Sequence, residues 1–221
     1  YAQNTPLKIL AFHNPDENPS HIEFAQKAIS FFSAFNDSGE LIFEHTSDPE
    51  RINERELKDI DLIIMMDYIP LDRDQQKAFQ NFMEHGGRWL GFQRTAGYTT
   101  GEWPWFREFI GRVSYEKSIL PAMPAKFITE DPLHPVCRSI PASFIAPANE
   151  WYVYSPGLRQ NTDVSVLLSL APDSFPADIT QTVKSGDVPV AWINRKFNMI
   201  YINAGHDGNS FSDPTQNLLI T

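Results

Sequence analysis

The chain has one cysteine, Cys137, so an intrachain disulfide is excluded, and a lone thiol sets no limit on compartment. It lacks any run of 18 apolar residues, which excludes a membrane-spanning helix. Positive charge is short: 18 Lys and Arg stand against 28 Asp and Glu, a formal net charge of −10. No Lys/Arg cluster forms a phosphate track, which argues against nucleic acid or an anionic membrane surface as partner. Internal repeats, low-complexity stretches and an interdomain linker are also missing. What is present is 221 residues with 42% hydrophobic content, enough for one sizeable domain. Aromatics are plentiful, with 16 Phe, 7 Tyr and 5 Trp. Such rings fill cores, and they also serve as platforms for sugar rings.

The chain opens on Tyr1 rather than Met, with a polar lead that contains Pro6. That opening fits a mature exported protein. A periplasmic or extracellular location is the expectation, with the cytoplasm as the alternative.

The first 97 residues alternate between two periods. Residues 7–12 are a compact apolar run that ends in His13-Asn14-Pro15-Asp16, a turn sequence. Ser20, with Glu23 three residues on, reads as a capping box opening a helix with Phe24, Ala28, Phe31, Phe32 and Phe35 on one face. His21 lies in its first turn. Residues 41–45 alternate as a strand, a short helix is expected over 53–58, and 61–66 form a continuous apolar strand ending at Asp67-Tyr68. Asp72 caps a helix over 73–85, and Gly86-Gly87 supply the left-handed stop. Residues 88–92 are a fourth strand, ending at Gln93 and Arg94 before Ala96-Gly97. Alternation of this kind implies parallel strands with helices on both faces.

After Gly97 the pattern changes. A helix is expected to begin at Thr100 or Gly101, with Trp105, Phe106, Phe109 and Ile110 inward, and Trp103 either lines a pocket or packs beneath it. Residues 118–162 are Pro-rich and without clean periodicity, apart from a strand at 125–129. This stretch reads as an insertion over the site face, and it carries Glu150-Trp151-Tyr152. A strand at 164–171 follows, then a polar loop at 172–186. Strands at 188–194 and 198–203 form a hairpin, Gly205-His206-Asp207 follows it, and a last helix is expected over 215–220.

The fold expected is α/β, a flavodoxin-like three-layer sandwich with a mostly parallel central sheet and a C-terminal antiparallel hairpin. It spans residues 1–221 as a single domain. Ligands of such sheets bind beyond the carboxyl ends of the strands. Gln93, Arg94, His13 and His206 all stand at strand ends, and His21 and Glu150 belong to neighbouring segments.

Five stretches, HGGRWLGFQRTAG, WPWFREFIG, DPLHPV, NEWY and VAWINRKFNMIYINAGHD, occur in an order that resembles the ThuA-like (trehalose utilisation) family. That family is a branch of the class I glutamine amidotransferase-like fold, and the resemblance covers nearly the whole chain. It implies a role in carbohydrate use, often beside a sugar oxidoreductase, with keto-sugars as the suspected substrates. Carried over by position, its characteristic polar residues fall on His21, Gln93, Glu150 and His206, with Asp207 beside the last. Many members have His where this chain has Gln93, and a further His near Tyr115-Glu116. Amidotransferases carry a nucleophilic Cys in the turn where this chain has Gln93 and Arg94. Glutamine amidotransferase activity is therefore excluded.

Three chemistries can use these residues. A neutral His206 can act as general base with Glu150 as its partner, for proton shifts beside a keto group. Imidazoles and a carboxylate can hold a divalent metal, although no local metal motif is present, and no cofactor is required. The same groups can also bind a sugar without turnover. His206, Glu150 and Gln93 are the catalytic candidates. His13, His21, Arg94, Trp103, Trp151, Tyr152 and Asp207 are the substrate-binding candidates, with Asp207 orienting His206. Arg94 is left with either an anionic group or Glu150 as its partner. The expected activity is a hydrolase or isomerase acting on a small-molecule sugar or keto-sugar. The alternative is a non-catalytic carbohydrate-binding module.

Overall fold

The computed structural model describes residues 5–36, 39–97, 103–175 and 188–221. Nine strands form one sheet: β1 (Leu7–Phe12), β2 (Leu41–Thr46), β3 (Leu62–Met65), β4 (Arg88–Phe92), β5 (Ser114–Thr129), β6 (Ser143–Ser155), β7 (Val164–Leu170), β8 (Pro189–Asn194) and β9 (Asn198–Ile202). Their spatial order is β2-β1-β3-β4-β9-β8-β7-β5-β6. The five strands from β2 to β9 pair in parallel, and the run from β9 to β6 is antiparallel. The expected mostly parallel sheet is corrected to one that is parallel over only half its width. The expected antiparallel hairpin is β8–β9, and it joins the two halves.

The difference arises in the Pro-rich stretch read as an insertion. Residues 114–155 are largely two long strands, with register shifts between Tyr115/Lys117, Ile119/Met123 and Met123/Ala125. Bulges break the two-residue alternation that marks a strand in sequence. Pro121 and Pro124 sit in this bulged part, where β7 does not pair, because β7 meets only Phe127–Thr129 of β5. Proline is tolerated where the ladder has no use for its missing N–H.

Helices cover both faces of the parallel half. α1 (Pro19–Ser33) buries Phe24, Ala25, Ala28 and Phe32 on one face. Its N-cap is Asn18, not Ser20: Asn18 Oδ1 accepts the N–H groups of Ser20 and His21 at 3.1 and 3.2 Å. Pro19 at the first helical position explains the earlier start, since its φ suits a helix and its missing N–H costs nothing there. α2 (Glu54–Leu57) is a single turn. α3 (Arg73–Glu84) has the expected Asp72 cap, which with Gln75 completes a capping box, and Gly86 after it has φ +93°. A short α4 (Arg94–Gly97) follows β4 directly, and α5 (Pro104–Ile110) packs with α3 on the second face. The expected start at Thr100 or Gly101 lies outside the described residues, as does most of the 172–186 loop. α6 (Pro214–Asn217) is shorter than expected. Among the described residues no helix is long and apolar enough to cross a membrane.

Alternation along β1 divides the core. Ile9 and Ala11 face α1 with Phe24 and Phe43, while Leu10 and Phe12 face Phe79, Trp89 and Phe109. The second layer depends on Gly91. A Cβ there would fall 1.9 Å from the indole of Trp89, which is itself 1% exposed. Gly91→Ala is expected to destabilise the fold by about 1–3 kcal/mol through overpacking, read as a lower urea midpoint at unchanged slope.

Candidate functional site

The parallel half directs four strand ends to one rim. β1 leads to His13, β3 to Asp67, β4 to Gln93 and Arg94, and β9 to Gly205 and His206. β6 reaches the same rim from the far end of the sheet, and two buried asparagines tie it there. Asn203 Oδ1 accepts the Tyr152 N–H at 3.2 Å, and its Nδ2 donates to the Tyr152 carbonyl at 2.8 Å. The side-chain amide stands in for the edge of a neighbouring strand. Asn149 Oδ1 accepts the N–H groups of Gly205 and His206 at 3.0 and 2.9 Å. Its Nδ2 donates to the carbonyls of Glu150 and Asn203 at 2.9 and 3.3 Å. Asn149 thus uses all four of its hydrogen-bonding positions.

Gln93, fully buried, adds a third tie by donating from Nε2 to the Glu150 carbonyl. Its own carbonyl accepts the Tyr201 hydroxyl at 2.8 Å. Gly205 has φ +149°, and a Cβ there would lie 3.3 Å from Gln93 Cβ and from the Phe24 ring. Glycine lets the chain turn in that space and present two successive N–H groups to Asn149.

Glu150 and His206 therefore meet. His206 Nδ1 lies 3.1 Å from Glu150 Oε2, with the two side chains 22% and 18% exposed. The adjacent imidazole, helped by the Ser118 hydroxyl, holds the Glu150 carboxyl below the usual carboxylate range. The 3.1 Å approach falls short of ideal hydrogen-bond alignment, and Glu150 is the polar neighbour of the buried His206 Nδ1. His21, in the first turn of α1 and only 2% exposed, stands edge-on to His206 with ring centroids 5.4 Å apart. Its Nδ1 is without a hydrogen-bond partner among the described residues. Burial, and then the charge of Arg94, push its pKa down to about 4, so the ring is neutral at pH 7. One nitrogen from each imidazole and one Glu150 oxygen lie within 4.8 Å of one another.

A second polar layer lies beside this trio. Arg94 Nη2 is 2.6 Å from Glu17 Oε1, and its Nε is 3.5 Å from Asp67 Oδ1. Of the two partners expected for Arg94, an anionic group or Glu150, these two carboxyls take the place of Glu150. Burial raises the Asp67 pKa to about 7, although the Tyr68 N–H donates to it at 2.7 Å. Tyr152 is buried at the rim, where burial raises its pKa, and its ring meets that of Tyr115 at 4.8 Å. The hydroxyls of Tyr115 and Ser118 are 2.8 Å apart.

Other expected site residues make contacts of their own. His13 turns to His45, with ring centroids 5.7 Å apart. Trp103 stacks on Phe106 at 4.9 Å within the α5 cluster. Trp151 is fully buried against Phe127 and donates from Nε1 to the Met123 carbonyl at 3.0 Å. Asp207 does not orient His206. Its Oδ1 accepts the Asn209 N–H at 2.8 Å and caps the turn Gly208–Phe211. The carboxylate beside His206 is Glu150. Sequence reasoning gave no role to Asn149, Asn203, Glu17 or Ser118. Asn149 stands beside Glu150 within NEWY, and Asn203 ends an apolar run, which is the signal each carried.

A family model described as ThuA, trehalose utilisation, matches residues 8–221. Among curated proteins no match is found. A ThuA-like protein from Bacteroides uniformis is 35% identical over 100% of this chain and 90% of its own, with a TM-score of 0.90. A ThuA-like protein from Parabacteroides merdae has a TM-score of 0.72 at 12% identity, covering 97% of this chain and 88% of its own. A β-galactosidase from Bacillus circulans sp. alkalophilus shares the fold over 96% of this chain and 30% of its own, at 13% identity and a TM-score of 0.59.

The pKa of Asp67 gives a signed pH dependence. A carboxyl raised to about 7 in the folded state favours folding most below its unfolded value and loses that contribution as pH rises through 7. Asp67→Asn removes this loss. Its stability relative to wild type is expected to rise by about 3 kcal/mol between pH 5 and pH 8, measured by urea denaturation at each pH.

Proposed function

The chain belongs to the ThuA family, described by trehalose utilisation, and we propose that it acts on a sugar or keto-sugar derivative at the rim that holds His21, Glu150 and His206. The reaction class is hydrolysis or isomerisation. The observation that supports this most is the convergence of those three side chains from α1, β6 and the turn after β9, with Glu150 and His206 still partly exposed. Both reactions need lone pairs and a fixed negative charge beside an oxygen-bearing carbon. A neutral His21 and an ionised Glu150 match that need. Such lone pairs are also those that a divalent cation takes.

Charge narrows the substrate. Glu17 and Glu150 border the rim, Asp67 with its raised pKa adds part of a negative charge, and Arg94 is engaged by Glu17 and Asp67. This balance favours an uncharged sugar over a sugar phosphate or sugar acid. A keto-sugar arises by oxidation of a hydroxyl, so a sugar oxidoreductase in the same pathway is the natural supplier. The competing reading, a non-catalytic module, relies on open aromatic platforms. Trp151 is sealed and Trp103 packs in a cluster, while among the described residues Tyr115 and Tyr68 keep exposed rings.

The test is a panel of neutral disaccharides and their keto derivatives beside the phosphorylated and acid forms. Turnover of a neutral member is expected, with Glu150→Gln slower by about 100-fold or more. Binding without turnover would establish the module instead, and preference for the charged forms would overturn the substrate assignment.

A further inference from the structure

We propose that His21, Glu150 and His206 form a binding site for a divalent transition-metal ion. The inference rests on the site placement given above and deepens it. Two imidazoles and one carboxylate are a donor set suited to zinc and its first-row neighbours, whereas magnesium and calcium take oxygen ligands almost throughout.

Geometry supports the proposal. The three donor atoms already lie within 4.8 Å of one another. Donors held at about 2.1 Å from a tetrahedral ion stand roughly 3.4 Å apart, so side-chain movements of about 1 Å complete the set. His206 Nδ1 and Glu150 Oε2, at 3.1 Å, already have the spacing of adjacent ligands. Their alignment falls short of an ideal hydrogen bond.

The polar accounting points the same way. Buried polar atoms in folded proteins almost always have partners, and an exception calls for a ligand, ion or water. His21 Nδ1 is buried with no hydrogen-bond partner among the described residues, and His206 Nδ1, on the ring in contact with it, has the Glu150 carboxylate as its polar neighbour. Arg94 lies close enough to influence His21, but it is itself paired with Glu17 at 2.6 Å, and Glu17 and Glu150 act on His21 in the opposite sense. Glu150 supplies the negative charge that a bound cation needs. Glu150 and His206 remain partly exposed, at 18% and 22%, as ligands of a site open on one side would be.

Ligation takes the lone pair that a general base at His206 would use. The inference therefore replaces the general-base expectation for that residue, while the sugar assignment stands apart from it. The metal also supplies second-layer roles: Asn149, which fixes the backbone of Glu150 and His206, becomes a positioning residue for two ligands.

The test uses tag-free full-length protein, stripped with chelator and dialysed against Zn2+ or Co2+. One equivalent of ion is expected, with Co2+ giving the visible absorption of a low-coordinate nitrogen/oxygen site. His206→Ala and Glu150→Gln are expected to weaken binding at least tenfold, while His85→Ala leaves it unchanged. Glu150→Gln keeps the side-chain shape, and circular dichroism confirms that each variant folds. Failure to retain ion at tenfold excess, or equal retention by the site variants, overturns the proposal. Sugar turnover that persists after stripping likewise counts against the metal while sparing the proposed function. Ion binding without turnover of any sugar does the reverse.

Discussion

The site depends on side-chain amides acting as backbone. β6 is the last strand of the sheet in spatial order, separated from β9 by β8, β7 and β5. Asn203 and Asn149 nevertheless join its residues 149–152 to the segment that follows β9. Both amides are almost completely buried. A buried donor or acceptor left unpaired costs about 1–3 kcal/mol, so each bond of this clasp penalises any arrangement that separates Glu150 from His206.

The two halves of the sheet have different tasks. The parallel half sets the rim: parallel pairing brings the ends of β1, β3, β4 and β9 to one side, and α1 follows β1 there with His21 in its first turn. The antiparallel half supplies Glu150 on a long bulged strand whose interior is anchored by Trp151 against Phe127. Side chains on alternate positions of β6 serve opposite ends: Trp151 and Val153 enter one core layer, Tyr152 and Tyr154 the other. The hydroxyls of Tyr154 and Tyr201 bond to each other, and Tyr201 in turn holds the Gln93 carbonyl. The turn after β4 is therefore braced from the core as well as from β6.

The parallel half was legible in the sequence because its signals are local. Apolar runs at β1, β3 and β4, the Asp72 cap and the Gly86 stop each depend on neighbours only a few residues away. The β5–β6 ribbon was not legible, because its bulges erase alternation and its prolines imitate loop composition. In the site, His21, Glu150 and His206 could be proposed from position and resemblance, but their mutual distances could not. Asp207 shows the limit: beside His206 in sequence, it caps its own turn, while the carboxylate that meets His206 comes from 56 positions earlier. Gln93 stands at a strand end as expected, yet its side chain is used to hold β6 rather than to face the rim opening.

A crystal structure of Asn149→Ala tests the central claim, that amide clasps set the Glu150–His206 approach. The prediction is an intact nine-stranded sheet in which these two side chains have separated well beyond 3.1 Å and the contact with His21 is lost. An unchanged separation, with Glu150, His206 and His21 still gathered, would contradict it.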